Sequence, residues 1–555
     1  MRASRYAITR WSDALPPEPK VHVLAARRDP DPKLRERVGN KAFNLMRLAA
    51  HGMPVPEGFV LDALLCAEVI AGKLGVHALD RLLDPAIRAL EGVVGLGLGD
   101  ARRPLLVSVR SGAAASMPGM LETVLDVGIT EDALGGMIAL SGSPRLVWDS
   151  YRRLIENYAV TVKNAPPDAF EHARADTLRR AGASRLEELD TLELRALCRR
   201  LGDVYSEVVG TAFPQDARSQ LAEAVAAVFR SWNSPRALIY RKLHRLDGLR
   251  GTAVTVQRMV FGNAGSRSGS GVGFTRDPAT GEPRFYADFA WNAQGEDVVS
   301  GRCPVAPLAD LALAEPALHA ELLDYGAKIE RLFCDAQDIE FTIEEGRLFL
   351  LQTRSAKRTP WAALRIAVDL VKEGLIKPEA ALERLRGLDA RSLVQRRVQA
   401  DAQPLARGLG ASVGAVSGEI VLTSEAAEAA AKAGRAVILV RTDIATDDVG
   451  GLAAAAGVLT RRGGRTSHAA VVARQMDKVC VVGCEALEVD VLAGTCSIAG
   501  RVLAPGSILT LDGESGAVFE GRVTIVEERP TRCLRQLRAW RQAARVREAR
   551  LRSNS

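Results

Sequence analysis

Residues 462–474 read Arg-Gly-Gly-Arg-Thr-Ser-His-Ala-Ala-Val-Val-Ala-Arg. Two glycines permit backbone angles closed to other residues. Thr466 or Ser467 can cap a helix, and the Ala- and Val-rich run from Ala469 continues it. His468 then falls in or near the first turn, where free amides and the positive end of the helix dipole favour an anion. A neutral imidazole is a competent nucleophile toward phosphorus. The plainer reading is a helix-start histidine that only hydrogen-bonds its neighbours, and for a lone histidine that reading comes first.

The sequence around this run, from about residue 407, is rich in Gly, Ala and Val. Strand-like runs such as residues 436–441 and 479–482 alternate with Ala-rich helices, which predicts a small α/β domain at residues 401–526. Residues 355–400 read as helical, Arg-rich and poor in core-forming side chains, hence as an interdomain linker. Upstream, residues 252–354 read as strands and turns. The clearest hairpin has strands at 338–343 and 348–354 around a turn at 344–347. Residues 130–250 read as helical, and the segment before them mixes strand and helix signals. At about 150 residues per domain, 555 residues predict three to four domains. The fold class expected is α/β and α+β, multidomain.

Three further segments carry chemistry. Alternation along the hairpin puts Asp338 and Glu340 on one face of one strand, and Gln352 and Arg354 on one face of its partner. Two carboxylates beside an amide and a guanidinium suit Mg²⁺-nucleotide, since Mg²⁺ takes one or two carboxylates plus phosphate oxygens and Arg forks onto phosphate. Taken without context, a solvated face with cross-strand ion pairs comes first. Residues 107–119 run from a strand through Arg110 into a small-residue loop that would let phosphate approach backbone amides; a plain surface loop also fits. The glycine-rich residues 262–273 (GNAGSRSGSGVG) fit either a lid over phosphates or a linker, and match neither a Walker A loop nor a dinucleotide fingerprint.

Composition excludes other classes. Hydrophobic residues make up 47% of the chain, too many for a mostly disordered protein. No apolar run approaches the roughly 18 residues of a membrane span, and the N-terminus shows no secretory signal. Eight cysteines without a CxxC pair predict neither a disulfide scaffold nor zinc. A reduced, cytoplasmic protein without membrane or nucleic-acid partners is expected. The net charge of +7 comes mostly from residues 527–555, which hold nine Arg and three Glu.

Taken together and in order, these segments resemble pyruvate, phosphate dikinase over nearly the whole chain. The matching runs are residues 39–45 (GNKAFNL), 108–123 (SVRSGAAASMPGMLET), 148–153 (WDSYRR), 257–282, 292–299 (NAQGEDVV), 338–354 and 463–474. The resemblance implies an ATP-grasp nucleotide-binding region at 1–354 with a helical insertion at about 130–250. It further implies a swivelling phosphohistidine domain at 401–526 and a basic helical tail at 527–555. That tail is similar to the linker that leads into the family's pyruvate/phosphoenolpyruvate barrel. The family's barrel is expected to be missing, with a separately encoded barrel as a possible partner. By position, Lys41, Arg110, Glu296, Asp338, Glu340, Gln352 and Arg354 correspond to the nucleotide site, with Asp338 and Glu340 as metal ligands. His468 corresponds to the phosphorylated histidine, and Thr466 to the residue phosphorylated for regulation in plant members. The implied chemistry is a relay from ATP and phosphate through His468 to pyruvate, with Mg²⁺. Two alternatives stand beside it. Arg465 replaces the Met usual in dikinases, and in this the run is similar to phosphoenolpyruvate synthase, which uses water where the dikinase uses phosphate; other phosphohistidine-relay transferases also share the pattern. The remaining alternative is a non-catalytic nucleotide-binding remnant.

Overall fold

The computed structural model describes residues 20–553 except 26, 27, 116, 118, 119, 247, 300–302, 304, 391, 392, 400, 401, 445–447, 466 and 492. The protein is a mixed α/β, multidomain chain that divides into two compact units. One comprises Met1–Gly265 with Phe349–Gln352, the other Ser266–Leu348 with Thr353–Ser555.

The first unit is built on a five-stranded sheet of β1 (Val21–Val23), β2 (Gly58–Leu61), β3 (Val107–Gly112), β4 (Thr123–Val127) and β5 (Ala253–Arg258). Its spatial order is β1-β2-β5-β3-β4, with β5 antiparallel to both β2 and β3. Helix α1 (Arg35–Ala50) is broken at Gly39, whose φ of 76° an L side chain rarely adopts. Helices between Glu131 and Leu243 bury a continuous apolar core with the sheet. One of them, α2 (Pro144–Lys163), starts with Ser143 accepting from the Leu146 amide and ends at Asn164 in the left-handed region.

A second sheet, of order β10-β9-β6-β7-β8, contains β6 (Gly269–Phe274), β7 (Tyr286–Trp291), β8 (Ala306–Pro307), β9 (Gln337–Glu344) and β10 (Arg347–Ser355), all in the second unit except Phe349–Gln352. Glycines 269, 271 and 273 lie in β6, where a Cβ would strike Phe289, Phe341 and Phe285 at 2.3–2.7 Å. The run read as a lid or linker is therefore partly a buried strand. Residues 252–354 also contain more helix than expected: α3 (Gly295–Val299), Leu308–Ala314 and α4 (Pro316–Phe333). Leu318, Leu322, Gly326 and Ile329 form the buried stripe of α4.

The expectation that residues 355–400 hold little to build a core is corrected by the structure. Helices α5 (Pro360–Lys372) and α6 (Pro378–Arg384) share an apolar core with the basic tail. Leu364, Ala367, Val368 and Ala381 are buried together with Leu534, Leu537 and Trp540. The stripe that completes this core lies far along the chain, so local composition conceals it.

The following α/β region has an eight-stranded sheet, with parallel strands β11 (Val437–Arg441), β12 (Gly457–Thr460) and β13 (Val479–Val482) side by side. Two apolar clusters cover its faces. Helix α7 (His468–Gln475) connects β12 to β13. No described helix is long and apolar enough to cross a membrane.

Candidate phosphotransfer site

In the first unit, the helix start carrying Lys41 is pressed against the end of β3, which carries Arg110. A Cβ on Gly39 would lie 2.2 Å from the Gly112 carbonyl oxygen. The Asn40 amide donates to the Ala113 carbonyl at 3.1 Å, and the Asn40 side chain donates to the Ala114 carbonyl. Lys41 is exposed, two residues beyond the break, and Arg110 is half-buried. Arg110 Nη1 lies 3.5 Å from the Leu351 carbonyl. Gln352 is buried in the Phe349–Gln352 strand segment that groups with this unit. The loop after Arg110 is described only in part, because Ser116, Pro118 and Gly119 lie outside the described residues.

The second unit holds the carboxylates. Across the hairpin, Arg354 Nε donates to Asp338 Oδ2 at 2.7 Å. Asp338 is buried, and its Oδ1 has no hydrogen-bond partner. Burial pushes its carboxyl up; Arg354 opposes that and neighbouring Glu340 adds to it. Burial works against the Arg354 guanidinium, but Asp338 and Glu340 outweigh it and hold its pKa above the ordinary value. Thr353 Oγ1 donates to Gln337 Oε1 at 3.1 Å and props the same hairpin. Glu296 is exposed on α3, which packs against β6, β7 and β9. Among the described residues no three His, Cys, Asp or Glu side chains gather to hold a metal. The buried free oxygen of Asp338, with Glu340 beside it, nevertheless fits Mg²⁺, which fills most of its shell with phosphate oxygens and water.

His468 is the first residue of α7. Ser467 occupies the N-cap position, yet its hydroxyl makes no cap bond and is buried without a partner, so the expected side-chain cap is absent there. Thr466, the other capping candidate and the position matched to regulation, lies outside the described residues. The turn before His468 is held from its own helix. Arg474 Nη1 donates to the Arg465 and Ala411 carbonyls, each at 2.8 Å. That turn rests on the β6–β7 hairpin. A Cβ on Gly464 would meet Asp288 Oδ2 at 2.6 Å, and the Arg465 guanidinium lies 4.8 Å from the Tyr286 ring centroid. The α7 segment and the Asp338–Arg354 pair thus belong to one compact unit.

Sequence reasoning did not single out two basic residues here. Arg474 reads as the polar end of a helical run, and only the fold shows that it turns inward. Lys357 follows the hairpin; burial pushes its ammonium pKa down, and Arg354 adds to that shift.

Residues 76–307 match the family model "Pyruvate phosphate dikinase, AMP/ATP-binding domain", and residues 434–516 match "PEP-utilising enzyme, mobile domain". The chain is 40% identical over 528 residues to pyruvate, phosphate dikinase of Clostridium symbiosum, covering 94% of this chain and 60% of that relative. The chain carries these two domains and is similar to pyruvate, phosphate dikinases over nearly all of its length. The Rhizobium meliloti enzyme is 41% identical over 526 residues, which is 92% of this chain and 59% of the relative. Pyruvate, phosphate dikinase 2 of Zea mays is 42% identical over 506 residues, covering 90% and 57%. The chain therefore spans about three fifths of the length of these family members. Lys41 and the 338–354 hairpin lie outside the two family-model matches.

Proposed function

We propose that this chain is an ATP-dependent phosphotransferase that phosphorylates its own His468, with inorganic phosphate as the second acceptor. In this reading residues 1–354 are an ATP-grasp region with a helical insertion, and residues 401–526 are a swivelling carrier domain joined through 355–400. Lys41, Arg110, Glu296, Gln352 and Arg354 hold the nucleotide, with Asp338 and Glu340 as the carboxylates for Mg²⁺. When bound, Mg²⁺ supplies charge neutralisation at the phosphate oxygens.

The observation that carries this reading is that the helix start bearing His468 sits in the same compact unit as the Asp338–Arg354 pair. The imidazole attacks the β-phosphorus of ATP and AMP leaves. Phosphate then attacks the terminal phosphorus, and pyrophosphate leaves with His468 still carrying one phosphoryl group. Transfer from His468 to pyruvate gives phosphoenolpyruvate and completes the dikinase reaction. That step is assigned to a barrel domain, in the same protein or supplied in trans. A mobile carrier suits such a relay, because holding reactants in place is worth several kcal/mol at each centre.

The test is labelling with ATP carrying the label on its β-phosphate, in Mg²⁺, with and without phosphate, on wild type and His468→Asn. Acid-labile, base-stable label that needs His468 and accompanies AMP is expected, with pyrophosphate only when phosphate is present. Pyrophosphate absent and terminal phosphate released to water would shift the assignment to the synthase-like branch. ATP binding without any label would refute the phosphotransfer reading.

A further inference from the structure

A cavity of about 100 Å³ lies beside the turn before His468, walled by the Asp277–Tyr286 side of the β6–β7 connection and by Arg465 and Arg474. At about 30 Å³ per water it has room for roughly three waters, or one small oxyanion. Arg474 is 2% exposed. Its Nη1 is committed to the two carbonyls already described, while Nε and Nη2 are buried without a partner. Arg465 Nε is buried without a partner as well. Leaving the donors of a buried cation unpaired is costly, and the guanidinium fork matches a tetrahedral oxyanion.

The acidic side chains of the same cavity make their hydrogen bonds and close ion pairs elsewhere, and Asp277 acts on both guanidiniums only through space. Asp277 Oδ1 accepts from the Ala279 and Thr280 amides, and Oδ2 lies 3.8 Å from Arg284. Glu282 pairs with Arg365 at 3.5 Å. Glu514 pairs with Arg397 at 3.0 Å and accepts from Gln395 at 2.8 Å. Two guanidiniums therefore face a small space with uncommitted donors.

We propose that Arg465 and Arg474 form an oxyanion subsite, distinct from the Asp338–Arg354 pair, that takes free inorganic phosphate. The choice of phosphate among small oxyanions rests on the function proposed above; the existence of the subsite does not. Arg474 would then have two tasks, pinning the turn through Nη1 and binding the anion through Nε and Nη2.

The experiment is calorimetric titration of the full chain with inorganic phosphate, without nucleotide and at constant ionic strength, alongside a separate titration with ATP and Mg²⁺. Wild type, Arg465→Gln, Arg474→Lys and Asp338→Asn are compared, with thermal melts as the check on folding. One saturable phosphate per chain is expected, weakened about tenfold or more by Arg465→Gln and by Arg474→Lys, because each loses charge-assisted fork bonds. Asp338→Asn should weaken ATP binding and leave phosphate binding intact. The subsite is overturned by absence of phosphate uptake in wild type, or by unchanged phosphate affinity in an Arg465→Gln protein that melts like wild type. It is also overturned if Arg465→Gln and Asp338→Asn weaken phosphate and ATP alike, which would assign the cavity to the nucleotide's own phosphates. No turnover is involved, so the outcome is separate from the labelling of His468.

Discussion

Arg354 Nε donates to Asp338 Oδ2 across 2.7 Å, and this single bond leaves the second oxygen of a buried carboxylate unpaired. A carboxylate held only for stability is ordinarily satisfied at both oxygens. The free oxygen is what a cation would occupy. Asp338→Asn keeps the shape and removes the charge. We expect it to reduce Mg²⁺-ATP-dependent labelling of His468 by at least about a hundredfold, the scale of losing a group aimed at transition-state charge. The melting point should fall by only a few degrees, since Arg354 is partly exposed and can be solvated. Wild-type labelling in Asp338→Asn would remove this residue from the site.

Gly39→Ala tests the junction between Lys41 and Arg110. The added Cβ would meet the Gly112 carbonyl at 2.2 Å, at a φ of 76°. Overpacking against backbone and the unfavourable φ act together, so a loss of about 2–4 kcal/mol is expected. Because the helix start must move away from β3, ATP affinity should fall with it. Calorimetry and urea unfolding on the same variant read both effects.

The hairpin was legible from sequence because its alternation is local. The strands observed, Gln337–Glu344 and Arg347–Ser355, differ from the expected ones by one residue at each end. Glu345 and Gly346, both at positive φ, make the tight turn that the Glu-Glu-Gly sequence suggests. Long-range partners were not legible. Nothing local shows that Arg474 reaches the Ala411 carbonyl, or that Leu537 completes the core of α5 and α6. Helix α4 carried a readable stripe that the surrounding strand signals obscured.

Asp149 gives a pH signature in the first unit. Burial alone would raise its carboxyl, but Arg152 and Arg153 outweigh burial and hold it at about 2 against an ordinary 3.8. A depressed folded pKa gives stability that is present above the unfolded value and is lost as pH falls through the folded one. The size is about 2 kcal/mol at 1.36 kcal/mol per pKa unit. Asp149→Asn should therefore lower the urea midpoint at pH 7, and the gap to wild type should close between pH 4 and about pH 2. A gap that is constant with pH would mean that the pair contributes shape and not charge.

Ser467→Ala separates two roles for a hydroxyl at the start of α7. A capping serine is worth about 1 kcal/mol. Ser467 Oγ makes no cap bond and is buried without a partner. Removing an unsatisfied buried polar group is neutral or mildly stabilising. The expected change in stability is within about 0.5 kcal/mol, with His468 labelling retained. Destabilisation by 1 kcal/mol or more would restore the capping role.

The basic tail helix Thr531–Ser553 is an integral part of the second unit, and Leu537 is the residue that tests it. Leu534, Leu537 and Trp540 recur every three residues and are buried, while Arg535 and Arg538 between them are exposed. This places the arginines on the outer face and the apolar residues against α5 and α6. Leu537→Ala removes a side chain that is 1% exposed, which costs about 2–5 kcal/mol in a packed core. Arg538→Ala should cost no more than about 0.5 kcal/mol. Hydrogen exchange locates the effect: in Leu537→Ala, protection should fall both in Thr531–Ser553 and in Pro360–Lys372, because the two helices share one core. If protection fell in the tail alone, α5 and α6 would be stable without it, and the segment would regain the character of a linker. If neither helix changed, the tail would not contribute to the core at all.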